Sequence, residues 1–164
     1  MVLRVALASL VLAAAPAGDQ SAQLSGLFMQ ACVQQPNAHA MRAWAAAHSL
    51  KPLPGDAQDS FLGGQPGVAY DATDAAGKFV LAVRDNSNCA AFADHAQADA
   101  LAANLEPLLT QAGATWTVVQ DAPDPQNHEL HERSYTLMLG GQPYRLLIGT
   151  TEGGGQAMLG LSLQ

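Results

Sequence analysis

The sequence predicts an α+β fold. We expect a mainly antiparallel sheet of about six to seven strands, with two N-terminal helices and one helix inserted mid-chain. Apolar residues recur at helical spacing before residue 50 and again between residues 94 and 112. From Gly67 onward, short alternating stretches are separated by turn residues, which indicates strands joined by short connections and therefore paired antiparallel. The predicted element order is α-α-β-β-β-α-β-β-β-β.

The two N-terminal helices are separated by Pro36, which cannot continue a helix. The first ends near Gln35. Asn37 is a suitable N-cap for the second, which we expect from Ala38 to about Ser49. Prolines and glycines then predict a loop up to Gly67, interrupted only by an apolar anchor at residues 60–62.

Three strands follow, at 68–72, 78–84 and 89–93. A four-residue turn would place Arg84 opposite Cys89 and Leu81 opposite Phe92. One face would then carry bulky residues and the other small ones, including Cys89. We expect the first helix on the small face and the mid-chain helix on the bulky face. The bulky residues are Phe79, Leu81, Val83 and Phe92, and the small face holds Val80, Ala82, Cys89 and Ala91.

The second half begins with a helix from Asp94 to Ala112, which Pro107 should kink or divide. A strand at 115–120, a polar loop at 121–133, a hairpin at 134–149 and a last strand from residue 157 complete the domain. The two-residue turn Gly140-Gly141 fixes the hairpin register. It places Tyr135 opposite Leu146, and Leu137 opposite Tyr144.

Residues 1–17 have the pattern of a signal peptide, which leaves 18–164 as a single domain. Arg4 gives a positive start, Val5 to Ala15 is apolar, and Ala15-Pro16-Ala17 fits the signal-peptidase pattern. An N-terminal membrane anchor or a buried first helix is the alternative. The apolar run is short for a membrane span, so we expect a periplasmic or secreted protein without a stable membrane anchor after cleavage.

The chain has two cysteines, Cys32 and Cys89, and in an exported protein they predict one disulfide. The alternative is a cysteine nucleophile paired with His39 or His95. The sequence contains no cofactor-binding motif and no G-x-S-x-G elbow, so we assign no cofactor and no catalytic residue.

The formal net charge is −7, and the few basic residues are scattered. An acidic surface repels phosphate backbones and anionic headgroups, which disfavours binding to nucleic acid and to anionic membranes. The expected partner is a protein, a peptide or an envelope component that the sequence does not identify.

The most chemical-looking stretch is His128-Glu129-Leu130-His131-Glu132. A zinc-protease helix carries its histidines four residues apart, whereas these are three apart and have no evident third ligand. They are weak metal candidates, and we predict no metal site. The same segment is the candidate binding loop, with Asp121, Asp124, His128, Glu129, His131 and Glu132 as its candidate residues.

The exported N-terminus, the helix bearing Cys32, the block GVAYDATDAAGKFVLAVRDNSNCAAFA and the closing GGGQAMLGLSL strand resemble a family. It consists of small exported proteins of Gram-negative bacteria with one cysteine in an N-terminal helix and one in a central strand. The resemblance implies a periplasmic domain with a disulfide. It implies no activity, cofactor or catalytic residue.

Three functions are compatible with these observations. The first is a non-catalytic binding or accessory module. The second is a small hydrolase that uses a metal at His128 and His131 or a pair of carboxylates. The third is an inhibitor of an exogenous enzyme that presents the loop from Asp121 to Glu132.

Overall fold

A computed structural model describes residues 19–164 and confirms the α+β class; the predicted signal peptide at 1–17 lies outside these residues. The described chain forms one antiparallel sheet of eight strands and four α-helices. The helices are α1 (Ser21–Phe28, continued by a π-helical turn at Met29–Val33), α2 (Ala38–Ala47), α3 (Gly55–Leu62) and α4 (Ala98–Gln111). The strands are β1 (Lys51–Pro52), β2 (Gly67–Asp71), β3 (Phe79–Arg84), β4 (Cys89–Ala93), β5 (Thr115–Pro123), β6 (Leu130–Leu139), β7 (Gln142–Thr151) and β8 (Ala157–Leu163).

The strand order is β1-β2-β3-β4-β8-β7-β6-β5. Each half of the chain forms a meander, because neighbouring strands are also consecutive in sequence. The halves meet where β4 pairs with β8, and α4 makes the connection between them. None of the helices in the described part is both long and apolar enough to cross a lipid bilayer.

We call the side of the sheet that carries Leu81, Ala91, Leu159, Ile148 and Tyr135 the covered face. α1 and α4 pack against each other there and bury these residues, with α2 contacting β3 beside them. All five side chains are fully buried. The covered face therefore contains the main hydrophobic core.

The predicted disulfide is present between Cys32, at the end of α1, and Cys89, at the start of β4, with a Cα–Cα distance of 5.6 Å. Both residues are buried on the covered face. Because both cysteines are in this bond, neither presents a thiol to His39 or His95. The bond ties the first helix to a central strand.

The predicted register between β3 and β4 is wrong by one residue. Val83, not Arg84, lies opposite Cys89, and Val80 lies opposite Phe92. The turn is longer than expected because Arg84 N donates to Asn88 O and Ser87 adopts a φ of 68°. A slip of one residue exchanges the faces, so Cys89 shares the bulky face and Phe92 lies on the other. α1 and α4 therefore cover the same face, contrary to the prediction.

The predicted loop before β2 contains an unexpected helix, α3, and a two-residue edge strand, β1. α3 ends at Gly63, whose φ of 61° is the left-handed conformation typical of a helix end. Its residues Phe61 and Leu62 pack with Ala69 and Ala82 on the face opposite α1. This is the only described helix on that side, so the sheet is not covered on both sides as predicted.

The second half follows the prediction more closely. Tyr135 lies opposite Leu146 and Leu137 opposite Tyr144, as the glycine turn requires. α4 begins at Ala98 and continues through Pro107 without dividing. The segment predicted as a polar loop is mostly strand, because β5 extends to Pro123 and β6 begins at Leu130.

Candidate ligand-binding groove

We call the side of the sheet opposite α1 and α4 the open face. Its apolar part is the centre of the sheet, where Ala90, Gly160 and Leu147 lie side by side on β4, β8 and β7. Toward the β5 edge, the same row continues with the polar residues Ser134 and Gln120. The apolar residues of the open face therefore lie mainly in a strip beside α3, apart from Met138, which is exposed near the β6–β7 turn.

A groove with a volume of about 490 Å³ runs along this strip. Phe61 and Gly63 of α3 form one wall, and Ala82, Ala90 and Gly160 form the floor. The Phe61 ring meets the Phe92 ring edge to face, with 5.0 Å between the ring centroids. Two neighbouring grooves of about 490 and 330 Å³ also reach Phe92. The open face thus offers three concave spaces that share one aromatic side chain in their linings.

Two glycines within strands leave the floor of these grooves without side chains at their positions. Gly160 lies opposite Leu147, and Gly149 lies opposite Met158. Neither has a positive φ. A Cβ at Gly160 would come no closer than 3.9 Å to Leu147, and one at Gly149 would stay 3.8 Å from Met158. Gly67 differs, because a Cβ there would lie 2.5 Å from the Val83 carbonyl oxygen.

Neither backbone conformation nor neighbouring atoms therefore require glycine at positions 149 and 160. Glycine weakens a strand by about 0.5–1 kcal/mol relative to alanine, and in strand interiors it often marks a place where a ligand or another backbone approaches closely. The two residues point to such an approach on the open face.

Two arginines line the groove. Arg145 Nη2 donates to Glu132 Oε1 at 3.3 Å. Arg84, at the end of β3, is half-buried and forms no ion pair with any described carboxylate. The polar side chains of Ser60, Asn88 and Ser162 complete this part of the lining. The groove is therefore apolar with a cationic margin.

The structure does not bring the six candidate loop residues together at one site. Asp121 lies in β5 and faces His131 in β6, with 2.6 Å between Oδ1 and Nε2. Asp124 accepts hydrogen bonds from the backbone N–H groups of Gln126 and Asn127, which shapes the short loop. His128 and Glu129 lie in that loop and are exposed, whereas Glu132 lies on the open face.

Metal-binding geometry is also absent from this segment. Within residues 19–164, no group of three or more His, Cys, Asp or Glu side chains is placed to hold a metal ion. The hydrogen bond to Asp121 already occupies one ring nitrogen of His131. Catalytic zinc ordinarily needs three protein ligands.

Asp121 belongs to an ionic network that links α4 to β6. Arg133 donates to Asp121 at 3.2 Å and to Glu106 at 2.8 Å, and Tyr135 donates its hydroxyl to Glu106 at 2.9 Å. Burial raises the pKa of Tyr135 well above its ordinary value, and the hydrogen bond and negative charge of Glu106 raise it further. The role of Glu106 is not evident from the sequence, because its partners Arg133 and Tyr135 are distant in the chain.

The groove was not foreseen either. Its wall is α3, which was predicted as a loop, and its floor glycines lie in strands that were correctly located but considered only for their apolar residues. Glycine in the middle of the alternating stretch AMLGLSL was the available signal.

Comparisons of the chain with protein-family models, with curated proteins and with solved structures found no match. The resemblance to small exported Gram-negative proteins therefore stays a prediction.

Proposed function

We propose that this protein is an exported, non-catalytic binding module that holds a segment of a partner polypeptide on the open face of its sheet. The observation that carries the proposal is the groove floor, where Gly149 and Gly160 omit side chains that the backbone and neighbours would accept. The omission costs strand stability and leaves space only on the open face.

The groove has the dimensions of a binding site. Its volume of about 490 Å³ falls within the range of known ligand pockets. It crosses four strands, from β3 to β7, or about 14 Å, which about four residues of extended chain would span. Apolar side chains can rest against Phe61, Phe92 and Met158.

A polypeptide fits better than a compact small molecule. Phe92 lines all three grooves, so an extended chain that passes this side chain can contact more than one of them. A compact ligand would fill one of them and leave the others empty. Toward β5 the same face presents the exposed polar residue Thr117, so the chain can leave the apolar surface there.

The extracytoplasmic location is supported by the disulfide between Cys32 and Cys89. Such bonds persist in oxidising compartments and are rare in the cytosol. The N-terminal sequence pattern points the same way.

The experiment places a photo-reactive amino acid at Met158, in the groove, and separately at Thr117, on the polar part of the same face. Cross-linking in the native compartment and mass spectrometry identify any contacted segment. We expect one defined segment at Met158 and none at Thr117.

A synthetic peptide of that segment then provides the quantitative test. Gly160→Trp fills the groove and should weaken binding by more than about tenfold, whereas Thr117→Trp should leave it unchanged. Equal cross-linking at both positions, or peptide binding unaffected by Gly160→Trp, would overturn the proposal.

A further inference from the structure

We infer that the groove ends in a carboxylate site centred on Arg84, and that the partner segment enters with its own C-terminal carboxylate. The inference rests on the proposed function and specifies the part of the peptide that is recognised.

Arg84 lies in a corner of the groove. It is the last residue of β3, and a Cβ placed on Gly63 would be 3.4 Å from its Nη2. The end of α3 therefore lies against the guanidinium, and the partial negative charge of a helix C-terminus favours a cation there. This contact uses one side of the group and leaves other N–H donors available to the groove.

The other described arginines all have carboxylate partners. Arg42 pairs with Asp85, Arg133 pairs with two acids, and Arg145 pairs with Glu132. Arg84 is the exception, although the chain as a whole has a net charge of −7. Arg84 is half-buried and has no carboxylate partner, so a bound anion would replace water at its N–H donors with charge-assisted hydrogen bonds.

The surroundings of Arg84 specify what accompanies the carboxylate. Asn88, Ser60 and Ser162 line the same groove and can donate further hydrogen bonds. The rings of Phe61 and Phe92 lie on the adjoining wall. The site therefore fits a carboxylate next to a large apolar side chain.

A chain terminus fits this corner better than an acidic side chain within a longer segment. Arg84 lies between the end of α3 and the start of the β3–β4 turn. The helix and the strand that border the groove both end there, so a chain that placed its carboxylate at Arg84 and continued would leave the groove. Capture of a C-terminal carboxylate is a recurring mode of peptide recognition.

The test is an NMR titration of the full protein with three small probes. They are N-acetyl-leucyl-phenylalanine, its C-terminal amide, and the α-amide of N-acetyl-phenylalanyl-glutamic acid, in which the terminal carboxyl is amidated and the glutamate side chain is the only carboxylate.

We expect the free acid to shift the backbone amides of Gly160 and Ala90 and the Nε–H signal of Arg84. It should bind about tenfold or more tightly than the terminal amide, the size of one charge-assisted interaction. Arg84→Gln should abolish this difference, and Arg84→Lys should retain part of it. Lys51→Gln should not affect it, because Lys51 lines none of the three grooves. Circular dichroism checks that each variant is folded.

The outcomes separate the two proposals. If no probe shifts the amides of Gly149 and Gly160, the peptide groove itself is overturned. If acid and amide bind the groove equally, the carboxylate site is overturned and the groove stands. If the side-chain carboxylate binds as tightly as the free terminus and also depends on Arg84, recognition of a terminus is overturned. The acid–amide comparison on the unaltered protein holds even if Arg84→Gln fails to fold.

Discussion

The two faces of the sheet are built from alternate residues of the same strands, yet they differ in every property that matters for binding. On the covered face, Leu146 and Leu159 are fully buried beneath helices. On the open face, their chain neighbours Leu147 and Gly160 line a groove. The covered face is packed with buried side chains, and the open face has glycines where larger side chains could be accommodated. The difference indicates that stability depends on the first face and ligand binding on the second.

Replacing adjacent leucines tests this contrast most strongly. Leu146→Ala should lower the free energy of unfolding by about 2–5 kcal/mol, because it leaves a cavity in the core. Leu147→Ala on the open face should lower it by about 1 kcal/mol or less, because that side chain is only partly buried. Urea denaturation measures both. Equal losses would show that the open face is also core.

Removal of the disulfide tests how much this bond contributes to the stability of the covered face. Cys32→Ser combined with Cys89→Ser should reduce the free energy of unfolding by about 2–5 kcal/mol, because the unfolded chain gains the freedom that the bond removes. The native protein with and without reductant provides a matched comparison. An unchanged denaturation midpoint would argue against a structural role for the bond.

Two glycine replacements distinguish space left for a ligand from space required by the fold. Gly160→Ala should stabilise the protein by up to about 1 kcal/mol, since the strand gains a better residue without a clash. Gly67→Ala should destabilise it, because the new Cβ would meet the Val83 carbonyl oxygen. Thermal unfolding gives both signs. Destabilisation by Gly160→Ala would mean that the floor glycine is structural.

The smallest expected effect is the dependence of the free energy of unfolding on pH. The pKa of Tyr135 is raised in the folded protein, so its contribution to stability is complete below its unfolded pKa of about 10 and is lost as pH rises through the folded value. The free energy of unfolding should therefore fall above about pH 10, and Tyr135→Phe should reduce that slope. Denaturation at pH 8 to 11 measures it, with Tyr144→Phe as the control. Identical slopes for the two variants would contradict the buried network around Glu106.

The sequence was informative where local chemistry determines the structure. The glycine pair at 140–141 fixed the hairpin register, and the only two cysteines formed the disulfide. The sequence was uninformative where a single backbone angle determines the register of two strands. The left-handed conformation of Ser87 lengthens a turn and thereby exchanges the faces of β4.

The candidate site was predictable only in part for a similar reason. α3 has eight residues, begins at a glycine and carries apolar anchors only at its end, so its pattern is that of a loop. The polar segment at 121–133 looked like a functional loop, yet most of it is strand. Asp121 forms hydrogen bonds to His131 and Arg133 that only the fold brings together, whereas His128 and Glu129 stay exposed.

The central claim is that the open face binds a peptide in the groove beside α3. Its most direct test is the dissociation constant of the cross-linked segment for three proteins, namely the unaltered chain, Gly160→Trp and Thr117→Trp. The account predicts at least about tenfold weaker binding for Gly160→Trp and an unchanged constant for Thr117→Trp. Unchanged binding in Gly160→Trp, with the protein still folded, would contradict it.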